Sequence, residues 1–227
     1  MGASGPEPAK GWFAQLPADA RATLHAMGTA RRYRAGTILF HEADPSDWVV
    51  LVTEGRVKIA SVTPDGKDVV LSVCGPGDLL GELSALDRLP RSATATALEP
   101  LEARVISAEE FLRFLTTSTD AAVGLLVSVC GRLRVADRRR AEFVALDVTG
   151  RIARRLVEIA ECFGVPNDDG TIRVDLGITQ DDLAGWTGSS REAAAKALHD
   201  LRDRGWITTA RRTITVVDLG GLRSRAN

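Results

Sequence analysis

The chain has 227 residues, 44% of them apolar and 26% charged, and a formal net charge of −1. That is enough chain for two folded domains, and the near-zero balance excludes a uniformly basic coat for polyanions. Lys and Arg number 17 against 19 Asp and Glu up to Gly150, and 12 against 11 from Arg151 onward, so any nucleic-acid affinity must come from a local surface.

In chain order, residues 1–11 are small, polar and Pro-containing and read as a flexible tail, without the basic and apolar regions of a secretory signal. No run of 18 apolar residues occurs, so no membrane contact is expected and the location reads as cytoplasmic. Trp12–Met27 is a short helical region. From Arg31 to Val105 the pattern changes to β-rich runs: Thr37–Phe40, Trp48–Val52, Val57–Ala60, Val69–Val73, Ala93–Ala97 and Ala103–Ile106. Gly36, Glu54-Gly55, Pro64-Asp65-Gly66 and Gly75-Pro76-Gly77-Asp78 supply the turns, so residues 12–119 read as a β-roll of jelly-roll type with flanking helices.

Within that roll, Gly81-Glu82-Leu83-Ser84 and then Arg91-Ser92-Ala93 bring a carboxylate, a guanidinium, hydroxyls and backbone N–H groups into one short segment. Arg clamps a phosphate bidentately, Ser and free N–H groups complete a cradle, and Glu accepts from a ribose hydroxyl. Read alone, Glu82 and Arg91 also fit an ordinary ion pair beside a turn.

Residues 120–146 form a long helical stretch in which Leu126, Cys130 and Leu133 step by four and three, the step of a two-stranded seam, and Asp137, Arg140 and Val144 continue the register. This reads as a dimerisation helix, the alternative being a helix packed on its own roll. The C-terminal part carries a winged helix-turn-helix pattern, and 219–227 reads as a tail. Thr179 with Asp182 opens a first helix, Thr187-Gly188 turns the chain, and Ser189 is a candidate N-cap for a second helix. Arg191, Glu192, Ala195 and Lys196 share one face of it, while Ala194, Ala197, Leu198 and Leu201 line the other.

Such a helix enters the major groove, where Arg reads guanine and a carboxylate accepts from cytosine. Ser190, Arg191, Glu192 and Lys196, with Thr179 at the start of the first helix, are therefore the candidate DNA contacts, although Ser189-x-x-Glu192 is also a capping box. The run Trp206–Val217 reads as a hairpin with Arg211 and Arg212 at its tip, placed for phosphates. Cys74, Cys130 and Cys162 are widely spaced and embedded in apolar runs, which suits reduced core thiols, and His25, His41 and His199 lack metal-ligand spacing. No catalytic constellation is present in the pattern, so an enzyme is not expected.

Three motifs together resemble the cyclic-AMP receptor protein (CRP/FNR) superfamily of bacterial transcription regulators over about residues 30 to 218. GELSALDRLPRSA is similar to its phosphate-binding cassette, LDVTGRIARRL to its hinge and first winged-domain helix, which implies a hinge at 147–150 and a winged domain over 151–218, and GSSREAAAKAL to its recognition helix. The resemblance implies an α+β architecture: an N-terminal cyclic-nucleotide-binding β-roll, a long central dimerisation helix and a C-terminal winged helix-turn-helix. It assigns Glu82 to the ribose 2′-hydroxyl, Arg91 and Ser92 to the cyclic phosphate, and Gly81 and Leu83 to the cassette backbone. Arg191, Glu192 and Lys196 would read a TGTGA-like half-site on double-stranded DNA, with Lys196 where many relatives have Arg.

One departure bears on the effector. Where cyclic-AMP-binding relatives offer the adenine a Thr and a Ser or Asn from the central helix, this chain has Ala136 and Asp137. A carboxylate only accepts, so Asp137 suits an adenine amino group or a guanine edge. Cyclic AMP leads, with cyclic GMP, cyclic di-GMP and ligand-independent DNA binding open beside it, and no tightly bound cofactor is expected. No cysteine precedes Cys74, and neither Cys nor His lies in 79–93, which argues against the family's iron–sulfur and haem branches. The expected protein is a homodimer whose nucleotide shifts the hinge; RNA polymerase is a further partner the family implies. A nucleotide-binding regulator acting through a protein partner is the competing reading.

Overall fold

The computed structural model describes residues 11–175, 177–210 and 212–226. They divide into two compact units: the chain up to Val62 with Leu71–Val135, and Thr63–Val70 with the chain from Ala136. The expected tail at 1–11 falls outside the described residues except for Gly11, which begins the fold by packing on the backbone of Gly77.

The first unit starts with α1 (Trp12–Gln15) and α2 (Ala18–Ala26), two helices where the sequence suggested one. Pro17 is the reason: it disfavours helical geometry in the residue before it, and Leu16 is extended. Then follow β1 (Thr29–Tyr33), β2 (Ile38–Phe40), β3 (Trp48–Glu54), β4 (Val57–Val62), β5 (Asp68–Cys74), β6 (Leu79–Leu80), the short α3 (Glu82–Asp87), β7 (Thr94–Ala97) and β8 (Leu101–Ser107). They form two four-stranded sheets, ordered β1-β8-β3-β6 and β2-β7-β4-β5, with antiparallel pairing along β1–β8, β3–β8 and β4–β7.

Strand β3 explains why the core has two parts. Its run Trp48–Val52 is continuously apolar, as a strand covered on both faces requires. Val50 and Val52 point into the roll with Phe40, Val57, Leu80, Ala95 and Leu101. Val49 and Leu51 point the other way, onto Trp12, Leu24, Ile106, Phe111 and Leu125, that is, onto α1, α2, α4 (Ala108–Thr117) and the start of α5. Helix α4 is capped by Ser107, whose hydroxyl accepts from the Glu110 N–H at 3.2 Å.

Helix α5 (Thr119–Ala145) runs 27 residues, about 40 Å, and crosses from the first unit into the second. Beyond its first turns it buries little: Leu126, Val127, Leu133 and Phe143 are exposed and Val144 is 92% exposed. Among the described residues no single helix is long and apolar enough to cross a membrane.

The second unit holds α6 (Val148–Phe163), β9 (Val165–Pro166), β10 (Ile172–Val174), α7 (Gln180–Thr187), α8 (Arg191–Asp203), β11 (Ile207–Ala210), β12 (Thr213–Val216) and α9 (Leu219–Arg225). The strands form one sheet, β11-β12-β10-β9, whose β11–β12 hairpin is the wing. Two expectations are corrected here. Of the residues expected as a hinge, 147–150, all but Asp147 are helical, because the Asp147 carboxylate accepts from the Gly150 N–H at 2.8 Å and starts α6 at Val148. The tail of 219–227 is instead a helix through Arg225, capped by Asp218, with Leu222 fully buried and Arg223 paired to Glu161 at 2.8 Å. Gly220 and Gly221 disguise it in sequence, yet Gly221 is needed, since a Cβ there would lie 2.5 Å from the Trp206 indole nitrogen.

Candidate functional site

The cassette begins where β6 ends. Gly81 adopts φ 78°, a left-handed conformation that glycine takes without strain, and a Cβ there would lie 1.8 Å from an Arg91 nitrogen. Helix α3 follows and is closed by Arg88, also left-handed at φ 61°. Leu83 and Ser92 are exposed, whereas Glu82 and Arg91 are each only 2% exposed.

Both buried charges have internal partners that the sequence did not reveal. Arg132, on α5 and fifty residues from Glu82 in sequence, donates to its carboxylate at 2.6 Å. Arg91 donates from Nη1 to the Gly81 carbonyl at 3.2 Å and from Nη2 to the Trp48 carbonyl at 2.7 Å, while its Nε–H is buried without a partner among the described residues. Its guanidinium carbon lies 4.2 Å from the Phe40 ring centre and 4.5 Å from that of Trp48. Burial pulls the Arg91 pKa down, opposed by the nearby carboxylates of Asp47, Glu82 and Asp44. The backbone is pinned as well: the Arg91 N–H donates to Asp44 O at 2.9 Å, and the Ala43 N–H donates to Arg91 O at 2.8 Å. The turn His41–Ser46, with Ala43 at φ 66°, therefore belongs to the cassette, and its Asp-Pro pair was the available signal.

Ala136 and Asp137 are exposed on α5 in the second unit, and Asp137 faces Arg140 at 3.6 Å. Cys130 and Cys162 are exposed rather than core thiols: around Cys130 the apolar Leu126, Val127 and Leu133 are exposed as well, whereas Cys162 sits at the end of α6, where Ile159 and Ala160 take the buried side. Burial, with Asp78 beside it, pushes the Cys74 thiol up to about 12.

In the second unit, the Thr179 side chain and Asp182 form the expected reciprocal capping box at the start of α7. Gly188, left-handed at φ 56°, makes the turn. The N-cap of α8 is Ser190, not Ser189: Ser190 is extended and its hydroxyl accepts from the Ala193 N–H at 3.1 Å, while Ser189 shares a hydrogen bond with the Thr187 hydroxyl at 3.0 Å. Glu192 therefore stands at the second helical position, where its own N–H and the Ser190 hydroxyl lower its pKa. Thr179 and Ser190 spend their hydroxyls on helix starts.

Arg191, Glu192 and Lys196 are exposed, whereas Ala194, Ala197, Leu198 and Leu201 are buried. Arg191 lies 3.4 Å from Asp181 in a solvent-open pair. Arg212 is exposed at the wing tip in a left-handed turn, φ 63°, and Arg211 lies outside the described residues. Arg202, in the last turn of α8, reaches the Thr209 hydroxyl at 2.9 Å and fastens the wing to the helix.

Residues whose importance the spacing did not show hold this unit together. Arg151 donates to Leu146 O at 2.7 Å and Thr187 O at 2.8 Å, so one side chain ties the end of α5 to the helix-turn-helix. Arg155, 2% exposed, pairs with Glu142 and with Glu158 at 2.7 Å. Arg225 pairs with Asp147 at the junction of α5 and α6.

Comparison with known proteins finds matching family models for each half: the cyclic nucleotide-binding domain over residues 30–118 and the Crp-like helix-turn-helix domain over 150–225. The CRP-like cAMP-activated global transcriptional regulator of Mycobacterium tuberculosis is 33% identical over 191 residues, 84% of this chain and 85% of that protein. The cAMP-activated global regulator of Escherichia coli O157:H7 is 28% identical across 82% of this chain and 88% of its own length. Among solved structures, the c-di-GMP responsive global regulator of Xanthomonas campestris aligns with a TM-score of 0.76 at 25% identity, covering 88% of this chain and 99% of that one.

Proposed function

Because the chain belongs to the CRP/FNR family of DNA-binding transcription regulators, which are not enzymes, we propose that it acts in the cytoplasm as a homodimer, reads a TGTGA-like palindrome and is gated by a cyclic nucleotide in its cassette. The observation that carries this reading is α8: its apolar face is docked in its own domain while Arg191, Glu192 and Lys196 face outward together. That arrangement offers two donors and an acceptor to base edges. Arg212 beside it supplies phosphate contact, with Arg211 the other proposed contact at that tip.

The dimer reading is supported by α5, whose exposed Leu126, Cys130, Leu133 and Val144 keep the seam spacing along a face that the described residues do not cover. A second copy of the helix is the occupant of matching pattern, and two recognition helices then read two half-sites. Gly81, Glu82, Leu83, Arg91 and Ser92 are the proposed phosphate and ribose ligands, with Ala136 and Asp137 facing the base. For the ribose to reach Glu82 it must share the carboxylate with Arg132, so ligand entry acts on α5, the same helix that leads into the winged unit.

Cyclic AMP is the first effector to test, since the Mycobacterium tuberculosis and Escherichia coli relatives are cAMP-activated, and cyclic di-GMP the second, after the Xanthomonas regulator. The test is isothermal titration with cyclic AMP, cyclic GMP and cyclic di-GMP, each with and without a TGTGA-palindrome duplex. One nucleotide binding more tightly with DNA present is the expected result; DNA binding indifferent to all three refutes the gating.

A further inference from the structure

Arg91 sits inside the cassette, where its direct contacts are neutral groups and the carboxylates of Asp47, Glu82 and Asp44 act on it from further away. The Phe40 and Trp48 rings stand edge to face, 73° apart with centres separated by 5.6 Å, and the guanidinium lies in the corner between them. Trp48 holds it twice, by ring and by carbonyl, and the Gly81 carbonyl takes a third edge. The buried Nε–H has no acceptor among the described residues, so at contact distance the cation is held by cation–π attraction and two neutral bonds, with the carboxylates of Asp47, Glu82 and Asp44 attracting it from further away, while part of its fork stays unmet. An anion with two charged oxygens satisfies that fork far better than carbonyls do. At 2% exposure, however, the guanidinium meets an incoming anion only after leaving the corner or after the corner opens.

Taking the cassette as the phosphate site proposed above, we infer that Phe40 and Trp48 are positioning residues that park Arg91 and thereby set the threshold affinity of the cassette for phosphate-bearing ligands. The energy of leaving the corner is the same for every ligand, so it bears hardest on small anions with few other contacts. Bare phosphate is kept out, and a cyclic nucleotide, with sugar and base contacts in addition, is admitted. Losing one ring lowers the threshold, and by the usual strength of a cation–π contact the affinity rises about fivefold.

The experiment uses full-length protein with 15N-labelled arginine. In the wild type, Arg91 Nε–H gives a slowly exchanging, ring-shifted resonance, assigned by its absence in Arg91→Lys. Trp48→Leu abolishes that protection and Trp48→Tyr restores it. Titration with cyclic AMP, cyclic GMP, cyclic di-GMP and inorganic phosphate is expected to show about fivefold tighter binding in Trp48→Leu and near wild-type binding in Trp48→Tyr. A protected resonance in Trp48→Leu, or binding unchanged or weakened there, overturns the inference. If neither protein binds any nucleotide, the effector reading falls by itself; parking then stands on a lost resonance with tighter phosphate binding, and falls if either is missing. Phe40→Leu, which keeps an apolar side chain in the roll, is measured in the same way in case Trp48→Leu does not fold.

Discussion

The cassette and the start of α8 carry the same three residue types beside a helix start, a Ser, an Arg and a Glu, in opposite circumstances. In the first unit Glu82 and Arg91 are buried and engaged by Arg132, Trp48 and Gly81. In the second, Arg191 and Glu192 stand in solvent on a helix whose stability comes from its other face. A buried charge cannot be altered without touching the fold, whereas an exposed one can serve recognition alone.

The sharpest way to break this comparison is to remove partners. Arg132→Ala strands the Glu82 carboxylate, and even with Arg132 itself half-exposed the expected cost is about 2 to 3 kcal/mol in urea denaturation. A cost near zero would mean that Glu82 finds water or another donor and that the cassette is looser than its burial implies. For the same reason Arg91→Ala, which the sequence alone presents as a clean ligand-site change, is expected to destabilise the roll as well. Arg191→Ala is the counterpart: stability within about 0.5 kcal/mol of wild type, but about 1 to 3 kcal/mol less operator affinity, with relaxed preference at one base position. Unchanged selectivity in a randomised-operator binding assay would remove Arg191 from base reading.

What was legible in sequence follows the same division. The α7–α8 pair, its capping box at Thr179 and Asp182 and the outward set on α8 rest on spacings within one turn or two, so local pattern sufficed. The register of α8 slipped by one residue because Ser189 and Ser190 are both competent caps, and only backbone geometry separates them. Strand β1, Thr-Ala-Arg-Arg-Tyr, was missed because it is an exposed edge strand and carries no alternating pattern. The pairs Arg132–Glu82 and Arg91 with Trp48 join residues 50 and 43 positions apart, and nothing in periodicity reports such meetings.

Asp147 lies between the two extremes, exposed yet engaged, and sharpens the comparison by about 1 kcal/mol. The Gly150 N–H first, and Arg225 after it, hold its carboxyl below the usual carboxylate range. A depressed folded-state pKa contributes stability above the unfolded value, and that contribution is lost as pH falls through the folded one. Asp147→Ala is expected to cost about 1 kcal/mol at neutral pH. Asp147→Asn keeps a competent cap, loses the Arg225 pair, and should flatten the acid limb of the stability profile. A profile identical to wild type would show that the charge of Asp147, on the Gly150 N–H and on Arg225 alike, contributes nothing.

The smallest expected effect is chemical rather than energetic, and it tests the face of α5. Cys74, with its thiol pushed up to about 12, stays protonated at pH 8 and should resist alkylation in the folded protein. Cys130 and Cys162 are both exposed on the single chain, so a monomer should label at both with similar rates. In the proposed homodimer Cys130 lies in the seam between Leu126 and Leu133, while Cys162, near the end of α6, is outside that seam. Mass spectrometry after timed alkylation should then show Cys162 modified first, and Leu126→Lys with Leu133→Lys should bring Cys130 up to the same rate. Equal rates in the wild type would mean that the exposed face of α5 is not where two copies meet, and the half-site geometry proposed for α8 would lose its support.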